Sequence, residues 1–531
     1  MKAIDLYSGI GGWSLGFKMA GIEIVQSYEY WPTAIDTYNN NFRKNIEPID
    51  LRAFDIKKLP YRQGDIDIVV GSPPCTQFSY ANKGGSGDIE DGLIDVKIFL
   101  DFVKRLKPKF WAMENVPRVK NVLQSHLYDK GGSLNRYKSL FKNANIEIID
   151  CSEFGIPQKR KRMIAGNYNY ELLSTYLGQS DSLSLGDIIE SLISRNIVDP
   201  IYGNKISKKG LTDHIYEAPL DKETSRINKS MKTAHPVYNK MSFPDDMDKP
   251  SRTITATCTK VSRESIIIKT DKKKFRRLTA RERASIQTFP IDFQFSGQSY
   301  SSKLKMIGNA IPPKLTYLLA QSMLDKEHED FDLATDYKDI KLKPNSQAES
   351  SEPEKSNGHY RKNRKFTYAI PGLRFGSGVR FQLKNHFKRN KTKWVVEYFF
   401  GSSKNIMEIK LDKPLFDGCS KFLNKDKLNK LLNQQSWRGD IDFDNLQQVW
   451  IRKSKGKSPF KVLDQLGSIA EKIEKLIEDK KNVKIEEFVL SQHQSLIDKQ
   501  SKRKQFKLGE KYSSNYKKIF CGLLIGSWFN N

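Results

Sequence analysis

Cysteine is scarce in this chain of 531 residues, and its placement argues against any framework built on it. The number of cysteines is odd, and no two of them are separated by only two residues. The five are Cys75, Cys151, Cys258, Cys419 and Cys521. Disulfide scaffolds use even sets of cysteines, and zinc sites use closely spaced ligand pairs. We therefore expect no disulfide framework, no metal site and a reducing, cytoplasmic environment.

Long apolar runs are also missing. A membrane-spanning helix needs roughly 18 consecutive apolar residues, whereas the late stretch 523–529 is short and contains Gly526 and Ser527. The first residues, Met1 to Asp5, lead directly into a strand-like segment and lack the pattern of a signal peptide. We expect no membrane partner.

Acidic residues are outnumbered by basic ones. Asp and Glu total 62 against 90 Lys and Arg, which gives a net charge of +28 and a pI of about 9.5. Such an excess fits a polyanionic partner, with nucleic acid as the first candidate, although basic runs are also common on solvated faces. About 20 of the excess charges lie beyond residue 359.

The first 120 residues alternate strand-like and helical segments. The apolar runs 3–7, 22–28, 66–71 and 110–114 predict strands, and the segments 12–20, 31–42 and 96–106 predict helices. This alternation is typical of a doubly wound, mostly parallel sheet, so the predicted fold class is α/β.

The rest of the chain changes character several times. Residues 168–275 are mostly polar and irregular, and residues 276–325 return to a helical pattern. Residues 326–358 are rich in Asp, Glu, Ser, Asn and Pro, which predicts a linker. Beyond residue 359 the chain is basic and aromatic, which predicts a separate α+β domain over 359–531. The α/β domain would then comprise residues 1–167 and 276–325.

Two sequence features suggest a nucleoside cofactor. The segment Asp5-Leu-Tyr-Ser-Gly-Ile-Gly-Gly12 follows the first strand and opens a helix, so its glycines would let a cofactor approach the backbone. A plain tight turn explains that segment equally well. Glu29 ends the second strand, where a carboxylate can accept ribose hydroxyls, although it could equally be an ordinary surface carboxylate.

A cysteine in an unusual setting follows the third strand. In Gly71-Ser-Pro-Pro-Cys75 the prolines fix the backbone just where the open edge of an α/β sheet binds ligands. The glycine-rich segment Lys83 to Gly87 beyond it could move as a loop. A lone cysteine is usually a small buried apolar residue, but this setting favours a nucleophile.

Further motifs follow in a specific order. They are Met113-Glu-Asn-Val116, Phe154-Gly-Ile-Pro-Gln-Lys-Arg-Lys-Arg162, the basic segment Arg276 to Pro290, and Met306-Ile-Gly-Asn-Ala-Ile-Pro-Pro313. Each is ambiguous alone, but together residues 1–325 resemble the cytosine-C5 DNA methyltransferase family. One departure is visible, because the family usually has Gln after Pro-Cys and this chain has Thr76.

The resemblance implies a mechanism with named residues. The thiol of Cys75 would add to C6 of a cytosine flipped out of the DNA duplex, with the loop Gly84–Gly87 as a lid. Glu114 would donate a proton to N3, and Arg162 would bind O2. Arg160 would support the loop or a phosphate, and Asn115 would hold the Pro-Cys turn.

The resemblance also implies a class I, Rossmann-like fold that binds S-adenosyl-L-methionine. Glu29 would bind the ribose, Tyr30 would stack on the adenine, and Asp55 and Ile56 would flank it. The full predicted cofactor set is Tyr7, Gly9, Ile10, Gly12, Glu29, Tyr30, Asp55, Ile56, Pro74 and Asn309.

The predicted partner is double-stranded DNA, acted on by a single chain in bacterial or phage restriction–modification, with residues 168–275 as the target recognition region. An RNA cytosine methyltransferase is the alternative, because one branch of the family modifies tRNA. That branch carries Cys-Phe-Thr in its variable region, whereas here Cys258 is followed by Thr-Lys, which disfavours the alternative. An inactive DNA-binding protein on the same fold is disfavoured, because every catalytic position is filled.

The sequence leaves two interpretations of residues 359–531 open. The first is an accessory domain that raises DNA affinity, so that residues 1–330 would suffice for the chemistry. The second is a fused nuclease. The runs 394–400 and 406–411 suggest a β-hairpin, on which Glu408-Ile-Lys410 has the Glu-x-Lys form of metal-dependent nucleases and Glu397 could be a second carboxylate. Short Glu-x-Lys matches are expected by chance in so lysine-rich a chain.

Overall fold

The computed structural model divides the chain into two compact units. The first comprises residues 1–219 and 244–354, and the second comprises residues 220–243 and 355–531. The structure describes residues 1–78, 87–194, 196–207, 211, 216–233, 241–270, 274–297, 299–352, 360–375, 379–388, 391–402, 405–449, 457–498 and 509–531. No helix in these ranges is both long and apolar enough to cross a membrane.

The first unit is built on a six-stranded sheet with the order β2-β1-β3-β4-β7-β5. Its strands are β1 Lys2–Leu6, β2 Glu23–Tyr28, β3 Ile68–Gly71, β4 Phe110–Asn115, β5 Asn145–Asp150 and β7 Lys161–Gly166. The first four pair in parallel, whereas β7 is antiparallel to both β4 and β5. The predicted α/β class with a mostly parallel sheet is therefore confirmed, with an antiparallel edge that the periodicity did not predict.

The helices of this unit connect and cover the sheet. They are α1 Gly12–Met19, α2 Pro32–Phe42, α3 Ile89–Leu106, α4 Val119–Tyr128, α5 Tyr170–Thr175, α6 Leu185–Ser191, α8 Ala280–Ile286, α9 Tyr300–Asn309, α10 Pro313–Met323 and α11 Leu333–Ile340. Short strands form two-residue and three-residue pairs outside the sheet: β6 Gln158–Lys159, β8 Asn196–Val198, β9 Lys205–Ser207, β10 Ser251–Arg252, β11 Ile267–Lys269 and β12 Phe275–Arg277. The apolar core lies on both faces of the sheet, as expected where helices pack against both faces of a parallel sheet.

The parallel register aligns the carboxyl ends of four strands. Leu6 pairs with both Tyr28 and Gly71, and Gly71 pairs with Met113. The segments that follow these residues therefore leave the sheet side by side, at the edge where open α/β sheets bind ligands.

The described residues of the second unit contain an antiparallel sheet and several helices. The sheet has the order β13-β14-β15-β16, formed by Thr367–Arg374, Val379–Lys388, Lys391–Ser402 and Asn405–Ile409. The helices are α7 Lys222–Thr233, α12 Lys413–Ser420, α13 Lys425–Asn433, α14 Pro459–Glu474, α15 Asn482–Ile497 and α16 Tyr516–Asn530. The hairpin suggested by the runs 394–400 and 406–411 is present as β15 and β16.

Residues 326–352 differ from the linker that their composition suggests. Within them α11 forms, and its Tyr337 is fully buried against Tyr202. Asn40 accepts a hydrogen bond from the main-chain N–H of Ser346 at 2.8 Å and donates one to its carbonyl at 2.9 Å. Leu342 and Ala348 are buried as well. A few buried side chains and specific hydrogen bonds therefore hold a largely polar segment on the first unit, and composition does not report them.

Helices α1 and α10 cross so closely that Gly16 has no room for a side chain. A Cβ atom there would lie 2.5 Å from the main-chain nitrogen of Tyr317 and 2.7 Å from the carbonyl oxygen of Pro313. We predict that Gly16→Ala lowers the free energy of unfolding of the first unit by about 1 to 3 kcal/mol, the usual cost of overpacking an interior. Urea or thermal unfolding measures this loss.

The matched control is Gly418→Ala in α12, where the nearest atoms to a new Cβ are ring carbons of Phe488 at 3.5 Å and beyond. Alanine is favoured over glycine inside helices by about 1 kcal/mol, so this variant should be neutral or stabilised. Equal destabilisation by both substitutions would contradict the proposed backbone contact at Gly16.

Candidate active site

A cavity of about 490 Å³ opens at the carboxyl edge of the parallel strands. Most of the predicted site residues line it: Tyr7, Gly9, Ile10, Gly12, Glu29, Tyr30, Pro74, Cys75, Glu114, Arg160, Arg162 and Asn309. Such a volume is within the usual range of ligand pockets. The aligned strand ends explain why residues so distant in the sequence meet here.

Glu29 is held rigidly at one end of the cavity. Its Oε2 accepts the N–H of Gly9 at 2.8 Å, and its Oε1 accepts the N–H groups of Tyr30 and Trp31 at 2.9 and 2.8 Å. Three backbone donors fix the carboxylate without using all of its acceptor positions. It can therefore accept further hydroxyl donors from a ligand.

The glycine-rich turn beside Glu29 needs unusual backbone angles. Tyr7 and Gly9 both have positive φ, at 56° and 55°, and a Cβ on Gly9 would meet nothing within 4 Å. The hydroxyl of Tyr7 lies 3.3 Å from Oδ1 of Asp95, so the strained turn is tied to α3. The free space at Gly9 leaves its backbone open to the cavity.

The structure does not bring Asp55 and Ile56 to this cavity. Asp55 is exposed and accepts the N–H of Lys57 at 3.0 Å, which caps a short 3₁₀ turn, and Ile56 packs beside the core. The cavity wall at this point is formed by Asp50, Leu51 and Arg52 instead.

The main chain explains this shift of five residues. The N–H of Ile49 donates to the carbonyl of Glu29 at 2.8 Å, and Glu29 bridges to Pro48, so residues 48–50 run beside Glu29. Asp50-Leu-Arg52 and Asp55-Ile-Lys57 are nearly the same tripeptide in kind, so the sequence alone could not distinguish them. Trp31 and Asp50 are site residues that the sequence analysis missed. Tyr30 lines the cavity but remains 66% exposed.

Cys75 also lines the cavity, in a turn that is fixed from two sides. The side-chain amide of Asn115 donates to the carbonyl of Pro73 at 3.1 Å, and the N–H of Phe78 donates to the carbonyl of Cys75 at 3.0 Å. Asn115 itself is buried and does not line the cavity. Its contact is the one expected of a residue that holds the Pro-Pro-Cys turn.

The electrostatic surroundings of Cys75 act in both directions. Burial raises the pKa of its thiol above the ordinary value and Glu114 adds to the rise, whereas Arg162 and Arg160 oppose it. The net shift is upward, so the resting site favours the neutral thiol. A group that removes the carboxylate of Glu114 from the balance should favour the thiolate.

Glu114 and Arg162 form an ion pair across two adjacent strands. Nε of Arg162 lies 2.7 Å from Oε1 of Glu114, and both side chains are largely buried. Glu114 is on β4 and Arg162 is on the antiparallel β7, where Asn115 pairs with Met163. The sheet thus presents a carboxyl group and a guanidinium together, beside the thiol.

Arg160 is fully buried and binds carbonyl oxygens from distant segments. It donates to Ile254 at 2.9 Å, to Gly308 at 3.3 Å and to Ala310 at 3.0 Å. The last two residues flank Asn309, so Arg160 fixes the Gly-Asn-Ala segment on the cavity wall. Of the two roles suggested for Arg160, these contacts match support of a loop.

The sequence predicts that the loop Gly84–Gly87 is a moving lid, and this prediction is not tested. Residues 79–86 lie outside the described part of the chain, and they include most of Gly84–Gly87. Gly87 itself packs tightly against the main chain of Gln77.

The geometry agrees with comparisons to known proteins. The family model described as C-5 cytosine-specific DNA methylase matches residues 1–325.

The chain belongs to this family.

This methyltransferase is similar to bacterial proteins that are named type II methyltransferases. It is 33% identical over 337 residues to the Type II methyltransferase M.HindV of Haemophilus influenzae. This alignment covers 62% of this chain and 98% of that protein. It is 31% identical over 333 residues to the Type II methyltransferase M.HgiDI of Herpetosiphon aurantiacus, with 61% and 94% covered. The solved structure of the Entamoeba histolytica methyltransferase EhMeth aligns with a TM-score of 0.43 and 20% identity, over 61% of this chain and 98% of that one.

Residues 355–531 of the second unit lie outside the matched region, and the carboxylate of Glu397 among them already has polar partners. The carboxylate of Glu397 accepts from Lys384 at 2.9 Å, from Gln382 at 2.9 Å and contacts the ring of His386 at 3.1 Å. Glu408 is exposed on the neighbouring strand. Among the described residues, no three His, Cys, Asp or Glu side chains are grouped as metal ligands would be.

The balance of charges around Cys75 leads to a prediction that needs no substrate. We predict that alkylation of Cys75 by iodoacetamide still accelerates with pH at about pH 8.5, where an ordinary thiol is half ionised. In Glu114→Gln the same profile should move to lower pH, because a carboxylate that raises the thiol pKa has been removed. Mass spectrometry of the labelled peptide measures both profiles.

The other four cysteines are buried and should label slowly, and Cys75→Ala identifies any signal that they contribute. A profile in Glu114→Gln that stays in place, or that moves to higher pH, would contradict the influence of Glu114 on the thiol.

Proposed function

We propose that the methyltransferase transfers a methyl group from S-adenosyl-L-methionine to C5 of a cytosine flipped out of duplex DNA, through a covalent bond between Cys75 and C6. The observation that supports this most directly is that Cys75, Glu114 and Arg162 lie together in the wall of a single cavity that Glu29 also lines. The names of the type II relatives indicate a role in restriction–modification.

The carbon that accepts the methyl group needs prior activation. C5 of cytosine is a weak nucleophile until the Cys75 sulfur adds to C6, which moves charge towards N3 and C5. Glu114 must carry a proton at that moment and donates it to N3, while Arg162, already oriented by its contact with Glu114, binds O2. The activated C5 then takes the methyl group. Loss of the C5 proton to a base, return of the N3 proton to Glu114 and elimination of the Cys75 thiolate restore the free enzyme.

The residues at the Glu29 end of the cavity fit the proposed cofactor. The Glu29 carboxylate is oriented by three N–H groups and keeps acceptor capacity for two ribose hydroxyls. Aromatic side chains of Tyr30 and Trp31 and the carboxylate of Asp50 line the same end, where an adenine ring could stack and donate a hydrogen bond. When bound, the cofactor supplies a methyl group on a positively charged sulfur.

The DNA must be opened for this reaction, because a stacked base exposes neither face of its C5–C6 bond. We propose that residues 168–275 select the target sequence. They lie between the catalytic segments and carry many side chains that can contact base edges and phosphates, although they contain more short helices and strands than their sequence pattern predicts. The basic second unit is proposed to add phosphate contacts.

The covalent step leads to a direct test. DNA that carries 5-fluorocytosine should form a complex with the enzyme that survives denaturation, because fluorine cannot leave C5 as a proton does. We predict that Cys75→Ala forms no such complex, since it lacks the attacking sulfur. Gel electrophoresis under denaturing conditions, in the presence of the methyl donor, measures it.

Cys419→Ala serves as the matched control, because Cys419 is buried in the second unit and its loss should leave the complex intact. A complex that persists in Cys75→Ala would assign the attack to another residue and end this proposal.

The two carboxylates of the cavity should fail in different ways. Glu114→Gln keeps the shape but loses the acidic proton, so methyl transfer should fall by about a hundredfold or more with cofactor affinity retained. Glu29→Ala should instead weaken cofactor binding by about tenfold or more, because charged hydrogen bonds are lost. Calorimetric titration with S-adenosyl-L-methionine and single-turnover methyl transfer separate the two effects.

If Glu114→Gln loses cofactor affinity as strongly as Glu29→Ala does, Glu114 belongs to the cofactor site. Unchanged cofactor affinity in Glu29→Ala would remove Glu29 from the ribose.

A further inference from the structure

Helix α7 lies within the proposed recognition region but is packed into the second unit. Residues 220–243 fall in the middle of 168–275, yet they form one compact unit with residues 355–531. The chain leaves the first unit after residue 219 and returns to it at residue 244. The second unit is therefore discontinuous and is not a simple C-terminal attachment.

A buried ion pair holds the start of α7. Glu223 is fully buried, and its Oε1 lies 2.6 Å from a terminal nitrogen of Arg364. Arg364 also approaches the carbonyl of Gln447, and its own carbonyl accepts the side-chain amide of Asn385 on β14 at 2.9 Å. Removal of either charge would leave its partner uncompensated in the interior, which is usually strongly destabilising.

Further contacts hold the rest of the helix. Arg226 makes a two-pronged ion pair with Asp464 on α14, at 3.0 and 2.8 Å, and stacks over the ring of Phe460 at 4.6 Å. Ile227 belongs to the apolar core of the second unit. At the end of α7, Arg374 donates to the carbonyl of Thr233 at 3.0 Å.

These contacts are too specific to be replaced by a generic apolar surface. The buried positions of α7 are mostly polar: Glu223, Thr224, Asn228 and Lys232, with Ile227 the apolar exception. Polar groups are buried at acceptable cost only where matched partners exist. The ion-pair partners described above come from residues beyond 355, so the conformation of residues 220–243 depends on the C-terminal residues.

The described residues that line the cavity, by contrast, all belong to the first unit. Each lining residue lies between Tyr7 and Ile311 and outside 220–243. Loss of the contacts around α7 should therefore leave cofactor binding intact and affect the action on DNA.

We infer that residues 355–531 take part in target recognition, because they hold α7 and thereby fix the two ends of the recognition region that join it, near residues 219 and 244. This inference rests on the proposed role of residues 168–275. It goes beyond the expectation that residues 1–330 suffice for the chemistry and that the basic domain mainly raises DNA affinity. Arg226 and Asp464 are positioning residues in this scheme and act through the placement of α7.

The test uses charge reversal in the full-length enzyme. Arg226→Glu places two negative charges together and should loosen α7, whereas Arg226→Glu with Asp464→Arg restores an opposite pair. This pair is partly exposed, so the variants should fold. We expect each single variant to lower kcat/KM for target DNA by about fivefold or more, with unchanged affinity for S-adenosyl-L-methionine. The double variant should recover at least half of that loss on a logarithmic scale.

Lys472→Glu is the matched control, because it makes the same charge change on an exposed position of α14 and should retain activity. Sequencing of methylated cytosines in cells that express each variant gives a second readout. The single variants should methylate a broader or weaker set of sites, and the double variant should return towards the original set.

The outcomes are separable. Failure of the double variant to recover activity would mean that Arg226 acts on DNA directly, and the inference would be wrong. Unchanged DNA kinetics and site choice in both single variants would also overturn it. Failure of the proposed function would look different, because the unaltered enzyme would then methylate no cytosine at C5.

Discussion

The parallel register of β1 with β2 and β3, and of β3 with β4, is the constraint on which the site depends. Because Leu6, Tyr28, Gly71 and Met113 lie in one row of hydrogen-bonded strand ends, the segments that follow them emerge together. Those segments contain the glycine turn, Glu29, Cys75 and Glu114. A shift of one residue in any of these pairings would turn every side chain of that strand to the other face of the sheet.

The second level of organisation is the buried guanidinium of Arg160. The parallel strands supply only one wall of the cavity, and the opposite wall comes from Gly308, Asn309 and Ala310, far along the chain. Arg160 binds the carbonyls on both sides of Asn309 and also that of Ile254. The side-chain amide of Gln287 adds hydrogen bonds to Ile307 and Ala310 at 2.8 and 3.3 Å. Buried hydrogen bonds of this kind, made by two side chains to the same segment, restrict that segment to one geometry.

The thiol and its neighbours illustrate a compromise between packing and reactivity. Partial burial raises the pKa of the Cys75 thiol and Glu114 raises it further, while Arg162 and Arg160 oppose both effects. An enzyme that must add its thiol to a base and later release it benefits from such a balance. A strongly stabilised thiolate would be a weaker nucleophile, because the nucleophilicity of a thiolate falls as the pKa of its thiol falls.

Local sequence patterns determined the alternation of strands and helices, the parallel sheet, the β15–β16 hairpin and the residue types that meet in the cavity. These depend on short-range periodicity, or on motifs whose residues act where strands end. Tertiary structure alone decided that Asp50, and not Asp55, lines the cavity. Neither tripeptide contains a pattern that predicts the pairing of residues 48–50 with Glu29. It likewise decided that residues 326–352 pack through Tyr337, and that α7 belongs with the C-terminal residues. In each case a few long-range partners, such as Arg364 for Glu223, outweigh composition, and no local pattern encodes a partner 141 residues away.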